Sequence, residues 1–293
     1  MKVMAHYFAL IVLLALVVAA PLAAQSTQQQ QQQPPPPAKQ PTPAQPGATG
    51  TSLPDQPAAP PVNKEEEDAY KLFLDTKDDK AKVQMGESFQ EKYPTSRYRE
   101  LVFASLSGAY QNLGQTDKMF AACDKTLEIN PNNVAALVTI TKGLARLTSP
   151  DALDAQQKFD KVEKYGKQAL DLLSNLTKPE GMTDEKFETV RTDALADIHS
   201  GLGLVYLKRQ RVPESIAELD QAVKVTKSPD PVDFYLLGLA LQATKRFDDS
   251  ASAFKSCAEA TSQLQDACKQ KQAEAQKQAA AAPKPAAPAP PKP

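Results

Sequence analysis

Residues 199–206, HSGLGLVY, and residues 234–241, FYLLGLAL, carry the pattern that decides the fold. In both, a large residue is followed three positions later by Leu, then by Gly, and three positions after that by another large residue. The spacing returns at 103–110 and 137–144, where Ser107 and Thr141 replace the glycine. Apolar residues three and four positions apart predict amphipathic helices, and a pattern that recurs after 34 or 35 residues predicts a stacked array.

This pattern resembles the tetratricopeptide repeat, whose signature is a large residue, Leu-Gly, Tyr, a small residue, Phe and Pro at these spacings. The resemblance covers most of residues 64–257. It implies an all-α fold: a right-handed α-solenoid of about five helix-turn-helix units with a C-terminal capping helix, flanked by disordered tails. Gly203 and Gly238 would let the partner helix approach closely, and stacking would bury the apolar stripe that one unit leaves open.

The units predicted in this way are 64–95, 100–133, 134–178, 183–228 and 231–260, followed by a capping helix at 261–278. The third and fourth units are offset by 62 residues instead of 34, so the third contains an insertion. Two long helical patterns fill it, and we expect them to protrude from the stack. Ser149-Pro150-Asp151 predicts a helix start, with Ser as cap and Pro in the first turn.

The two ends have a different composition. Residues 1–24 carry a positive charge at Lys2 and continue with an apolar run, which predicts a secretory signal and an exported, periplasmic or secreted protein. The alternative is an uncleaved inner-membrane anchor with the solenoid in the periplasm. Residues 25–63, rich in Gln and Pro, predict a disordered spacer that serves as a stalk or is a passive tail, and residues 279–293 predict a second disordered tail.

Composition excludes several classes of function. The balance of 34 basic against 35 acidic residues argues against nucleic-acid binding. The sequence contains no Gly-rich phosphate loop, no paired-His metalloprotease motif and no Cys-x2-Cys. His199 occupies the large-residue position of its unit, which predicts a packed structural role. We therefore predict a protein that is not an enzyme, with no catalytic residue, cofactor, metal or small-molecule substrate.

The cysteines allow one specific prediction. Cys257 and Cys268 are placed almost symmetrically about Thr261-Ser262. If the chain turns there, the two thiols meet and an exported protein would oxidise them. If one helix continues through this point, eleven residues hold the thiols about 16 Å apart and no bond forms.

The remaining function is binding at the surface. In tetratricopeptide proteins the first helix of each unit lines a concave groove, so the resemblance implies an adaptor or scaffold that binds a protein or peptide there. Together with the predicted secretory signal, it implies a protein of the bacterial cell envelope. Lys142, Arg146 and Lys208 could form a basic patch for a carboxylate or acidic peptide, or could be ordinary solvated residues. The alternative function is a structural envelope component that uses its insertion helices and stalk. The candidate groove residues are Gln111, Asn112, Lys142, Arg146, Lys208, Tyr235 and Gln242.

Overall fold

The computed structural model describes residues 63–282, which form eleven α-helices and no strand. None of these described helices combines the length and hydrophobicity that a bilayer crossing requires. The predicted leader, the spacer up to residue 62 and the tail from residue 283 lie outside the described residues. The helices are α1 (Lys64–Asp75), α2 (Asp79–Lys92), α3 (Arg99–Asn112), α4 (Thr116–Ile129), α5 (Val134–Leu147), α6 (Ala155–Ser174), α7 (Asp184–Lys208), α8 (Val212–Val225), α9 (Pro231–Ala243), α10 (Phe247–Glu259) and α11 (Gln265–Ala281).

Successive helices pack on one another along the whole described range. Helices α1 to α10 form five consecutive pairs, each pair packs on the next, and α11 packs on α10. Helix α5 also packs directly on α7, so the first helices of the third and fourth pairs are neighbours. An array in which each unit contacts mainly the next is a solenoid. The predicted all-α solenoid is confirmed.

Two glycines bring the helices of a pair into close contact. A Cβ at Gly203 in α7 would lie 2.6 Å from Leu219 Cγ. A Cβ at Gly238 in α9 would lie 2.7 Å from the ring of Phe254. Both distances are well inside van der Waals contact, so the pattern places glycine where the backbone of one helix meets a side chain of its partner.

The same two glycines also accept a hydrogen bond from the partner helix. Ser215 Oγ donates to Gly203 O at 2.8 Å, and Ser250 Oγ donates to Gly238 O at 2.8 Å. Both serines are fully buried. Two units of the array therefore place the same polar contact inside an apolar interface, and the bond satisfies a buried hydroxyl that would otherwise be costly.

Three pairs turn through one backbone motif. Its central residue has positive φ and is Gly114 (70°), Gln210 (59°) or Lys245 (62°). The amide of this residue donates to the carbonyl three residues earlier, and the next amide donates to the carbonyl five residues earlier. This Schellman geometry satisfies the last carbonyls of the helix. The longer bonds join Gln115 N to Tyr110 O, Arg211 N to Tyr206 O and Arg246 N to Leu241 O.

Helix α5 ends without this motif. Its cap residue, Thr148, is extended, and the ammonium of Lys208 donates to Ala145 O at 2.6 Å and to Thr148 O at 2.8 Å. Burial lowers the pKa of Lys208 below its usual value. A lysine from the next pair thus closes the end of α5, where a positive charge is favourable because it faces unpaired carbonyls.

The connection between α5 and α6 corrects one prediction. The predicted helix start at Ser149-Pro150-Asp151 is wrong, because residues 148–154 are not helical and α6 begins only at Ala155. Ser149 O accepts from Ala152 N at 3.1 Å, and Ala152 O accepts from Ala155 N at 3.0 Å. Two successive four-residue turns therefore replace the first turn of a helix.

The insertion lengthens two neighbouring helices. Helix α6 has 20 residues and α7 has 25, against 14 in α5. The expectation that they protrude is not met: Phe159, Val162 and Leu173 of α6 lie in the same core cluster as residues of α5 and α7, and each is at most 1% exposed. The extra turns of α7 bury Phe187 and Val190 in a smaller cluster. The added length therefore enlarges the core.

Aromatic stacking connects the first helix pair to the loop before the second pair. Tyr70 of α1 stacks on Tyr98, just before α3, with ring centroids 4.2 Å apart and the planes 9° from parallel. Ser96 Oγ donates to Glu66 Oε1 at 2.5 Å across the same junction. These contacts tie α1 to the loop that leads into the second pair.

A disulfide holds the last helix. Cys257 of α10 is bonded to Cys268 of α11, with Cα atoms 5.8 Å apart, and both cysteines are fully buried. The alternative of one continuous helix is wrong, because α10 ends at Glu259 and the chain turns where Gln265 N donates to Ser262 O. The predicted cap at 261–278 is a helix over 265–281, which includes three residues assigned to the disordered tail.

Candidate functional site

The described region contains a groove of about 600 Å³. Helix α5 lies along its centre, α3 and α4 border one side, and α7 and the start of α9 border the other. We call this cavity the groove. Its lining residues are Gln111, Thr116, Met119, Val138, Thr139, Lys142, Gly143, Arg146, Leu147, Asp193, Ala196, Asp197, Thr226, Ser228, Pro229, Asp230, Pro231 and Asp233.

Two ion pairs cross the groove from α5. The ammonium of Lys142 contacts a carboxylate oxygen of Asp197 in α7. Arg146 donates from a terminal guanidinium nitrogen to Asp230 Oδ2 at 2.7 Å. The side chains are 17% to 31% exposed, so both pairs are partly shielded from water. The cations are therefore occupied by acidic groups of the chain itself.

Asp230 is also the N-cap residue of α9. Its Oδ1 accepts from Val232 N at 3.0 Å, and Pro231 occupies the first helical position, as is usual for a helix start. Burial on its own raises the pKa of Asp230, but the hydrogen bond and charge of Arg146 outweigh it, and the pKa falls below its usual value. Asp230 is therefore ionised at neutral pH.

Two further aspartates have no cation partner in the described part of the chain. Burial raises the pKa of Asp193, partly offset by Thr226, whose Oγ1 donates to Asp193 Oδ1 at 2.7 Å. Asp233 is 2% exposed, and burial raises its pKa to about 6, although Ser200 Oγ donates to Asp233 Oδ1 at 2.5 Å. The groove thus carries four carboxyl groups against two cations, and its charge is negative.

The rest of the lining is largely apolar. Met119, Val138 and Ala196 are at most 8% exposed and form part of the wall. Gln111 also lines the groove, and its buried Oε1 has no hydrogen-bond partner among the described residues. Apolar walls with a few polar groups are typical of binding sites. Here the unused polar groups are mainly acceptors.

Three of the seven candidate groove residues, Gln111, Lys142 and Arg146, line the groove. Asn112 is exposed and lies outside the lining, and Lys208 closes α5. The basic patch predicted from Lys142, Arg146 and Lys208 does not form, because two of these cations are paired with aspartates and the third is bonded to carbonyls.

The last two candidates lie under the final helix. Tyr235 packs on Phe254, with ring centroids 5.6 Å apart, and joins the apolar cluster of the disulfide. Gln242 donates to Glu274 Oε1 at 3.0 Å and to Gln278 Oε1 at 2.8 Å, both in α11. In the last unit, α11 therefore occupies the face on which the repeat pattern predicts a partner.

The sequence prediction misses the aspartates, although two signals are present. Asp193 and Asp197 are four residues apart, so they share one face of α7. Asp230-Pro231 is a helix-start signal at the repeat boundary. His199 lies outside the groove lining, with Nδ1 2.6 Å from Glu218 Oε2 and a side chain 16% exposed.

Comparisons with known proteins agree with this architecture. A family model described as tetratricopeptide repeat matches residues 102–133, which contain most of α3 and all of α4. These residues are therefore similar to a tetratricopeptide repeat, and the resemblance inferred from the sequence is confirmed. A search of curated proteins gives no match.

Three solved structures align with most of this chain and with most of their own length. PilW, described as a widely conserved type IV pilus biogenesis factor, has a TM-score of 0.50 and 17% identity, covering 75% of this chain and 90% of its own. A thermophilic tetratricopeptide protein of Thermus thermophilus has a TM-score of 0.39 and 16% identity, covering 72% and 99%. A tetratricopeptide repeat protein from Parabacteroides merdae has a TM-score of 0.30 and 14% identity, covering 73% and 98%. At 17% identity the likeness to PilW concerns the fold alone.

Proposed function

We propose that this chain is a non-enzymatic adaptor or scaffold that binds a segment of a protein partner in the groove. The observation that carries the proposal is the groove itself, about 600 Å³ in volume and built from residues of four helix pairs. Repeat arrays use such concave surfaces to bind partners. The ion pairs of Lys142 and Arg146 hold α5 against α7 and α9, which preorganises the groove and lowers the entropic cost of binding.

We further propose that the protein works outside the cytoplasm, in the bacterial cell envelope. Two observations support this: the sequence of residues 1–24 has the features of a secretory leader, and Cys257 is bonded to Cys268. Structural disulfides persist mainly in oxidising compartments. A retained leader would anchor the solenoid to the inner membrane, and a cleaved one would release it into the periplasm.

A second candidate function is a structural role in an envelope assembly, with contacts made through the insertion. The observation that favours it is an apolar surface at the connection before α6, where Leu147 is 63% exposed and Leu153 is fully exposed. Leu147 also borders the groove, whereas Leu153 does not. A Leu153→Ser variant would therefore remove contacts of the insertion and leave the groove unchanged.

The test is to fill the groove. In Thr139→Trp a large side chain would enter it from the half-buried face of α5. The matched control is Thr189→Trp on the exposed face of α7, because both hydroxyls donate to the carbonyl four residues earlier at 2.8 Å. A partner cross-linked in envelopes to the wild type and to Thr189→Trp, but not to Thr139→Trp, would support binding in the groove. Loss with Leu153→Ser alone would favour the structural role.

A further inference from the structure

We infer that the groove selects a partner segment by a cationic side chain, Lys or Arg, which binds to acceptor oxygens of the lining, those of Asp193, Asp233 and Gln111. This inference rests on the proposed function, since it names the chemistry of the segment that the groove binds. Three properties of the groove support it: its hydrogen-bonding groups, its charge and its apolar walls.

The hydrogen-bonding groups of the groove leave acceptors in excess. The charged donors of Lys142 and Arg146 are already directed at carboxylates of the chain. Asp193 and Asp233 each receive one hydroxyl donor at Oδ1, from Thr226 and Ser200, and no donor reaches either Oδ2 within the described region. Gln111 Oε1 is a buried acceptor with no partner among residues 63–282. An ammonium or guanidinium group is a donor only, so it matches what the groove lacks.

The net negative charge of the groove also favours a cationic ligand. Asp197 and Asp230 neutralise the two cations, which leaves Asp193 and Asp233 as uncompensated negative charge. A carboxylate ligand would have to displace an internal partner of Lys142 or Arg146 and would then face the remaining aspartates. A cation needs no such rearrangement, and like-charge contacts are strongly disfavoured where water is partly excluded.

The apolar walls suit the stem of the same side chain. Met119, Val138 and Ala196 lie in the lining beside the acidic groups. The side chains of Lys and Arg carry three or four methylene groups below the charge, and these groups pack well along apolar surface while the charged head reaches polar atoms. A short cation would lose this contact, and a neutral apolar residue would leave the carboxylates unpaired.

The experiment selects ligands without assuming their sequence. Random heptapeptides displayed on phage are selected on the full chain and counter-selected on Thr139→Trp, so that only groove-dependent peptides remain. We expect one position to be occupied almost always by Lys or Arg. In the best synthetic peptide, replacing that Arg by citrulline, which keeps the shape and removes the charge, should weaken binding about tenfold or more. This step changes only the peptide, so it is independent of how any protein variant folds.

Protein variants then test which carboxylates of the groove bind the cationic side chain. Asp193→Asn and Asp233→Asn should each weaken the Arg peptide and bring the Arg and citrulline peptides closer together in affinity. Asp220→Asn is the control, because Asp220 of α8 lies outside the groove lining and pairs only with Lys224 on its own helix. Groove-dependent peptides with no preference for Lys or Arg would overturn this inference and leave the proposed function standing. Recovery of no groove-dependent peptide would overturn both.

Discussion

Arg146 and Asp230 join the third helix pair to the fifth, although 84 residues separate them in sequence. The guanidinium leaves the last turn of α5 and meets the residue that caps α9, at 2.7 Å. Most contacts in a solenoid join adjacent pairs. This contact joins two pairs that are not adjacent in the array, so we expect it to couple their stability.

Two substitutions at Asp230 separate the ion pair from the cap. Asp230→Asn keeps an N-cap oxygen for Val232 N and removes the charge facing Arg146, so it should cost less than about 1 kcal/mol of unfolding free energy. Asp230→Ala removes both contacts and should cost about 1 kcal/mol more. Urea denaturation at neutral pH measures the difference. Equal losses in the two variants would contradict a capping role.

The positive-φ turns predict stabilising substitutions. Gln210 and Lys245 hold the left-handed conformation that glycine adopts freely and that costs other residues about 1–2 kcal/mol. Gln210→Gly and Lys245→Gly should each raise the unfolding free energy by up to about 1 kcal/mol, because part of that strain is offset by the greater entropy of glycine in the unfolded chain. Gly114→Ala should lower it. Thermal unfolding of the three variants checks the signs, and a loss of stability on introducing either glycine would count against the turn argument.

The disulfide predicts a defined number of reactive thiols. The buried thiol of Cys123, whose pKa burial raises to about 12, should not react in the native protein. Unfolding without reductant should expose one thiol, and unfolding with reductant should expose three, since Cys257 and Cys268 are bonded. Three thiols without reductant would exclude the bond. In a Cys257→Ala/Cys268→Ala variant, loss of this short loop closure should cost about 3 kcal/mol.

Asp233 predicts a pH dependence of stability. Its pKa in the folded protein is about 6, above the ordinary value of 3.8 taken for the unfolded chain, so the folded state binds the proton more tightly. Asp233 therefore destabilises the fold above pH 6, by on the order of 3 kcal/mol, and this cost disappears as pH falls through 6 towards 4. Asp233→Asn, which can still accept from Ser200, should be more stable than the wild type at pH 7.5 and similar to it near pH 4.

The comparison of these two proteins at each pH isolates Asp233 from its charged neighbours, Asp230, Arg146 and Lys142. Denaturant midpoints at four or five pH values are sufficient. A constant difference between wild type and variant would show that Asp233 does not titrate in this range. If the variant is also the weaker binder of cationic peptides, the buried charge is kept for binding at the expense of stability.

The sequence predicts the stack better than it predicts the groove. Gly203 and Gly238 are recognisable because their role depends on one neighbouring helix at a fixed spacing along the chain. The groove depends on contacts between units, and the partner of Arg146 is 84 residues away. Periodicity places Arg146 on the first helix of its unit but contains no information about the residue that faces it.

Three candidate groove residues are misplaced for this reason. Position in the repeat assigns Lys208 to the groove, but the insertion changes how α5 ends and leaves carbonyls that the lysine then binds. The same reasoning assigns Tyr235 and Gln242 to the groove, and α11 packs on them in the last unit, where no further repeat follows among the described residues. Repeat geometry transfers well between interior units and poorly next to an insertion or an end.

The two ends of the stack are closed by different kinds of contact, a covalent bond at α11 and noncovalent contacts such as the stack of Tyr70 on Tyr98 at α1. In a linear array, local unfolding begins at the less stable end and continues from there along the repeats. Hydrogen exchange and limited proteolysis should therefore begin at α1 and α2 and advance in one direction along the chain. The groove draws its lining from Gln111 onward, so loss of the first pair would leave it complete. Unfolding that starts at the N-terminal side of the described residues should therefore leave the groove able to bind the proposed partner segment.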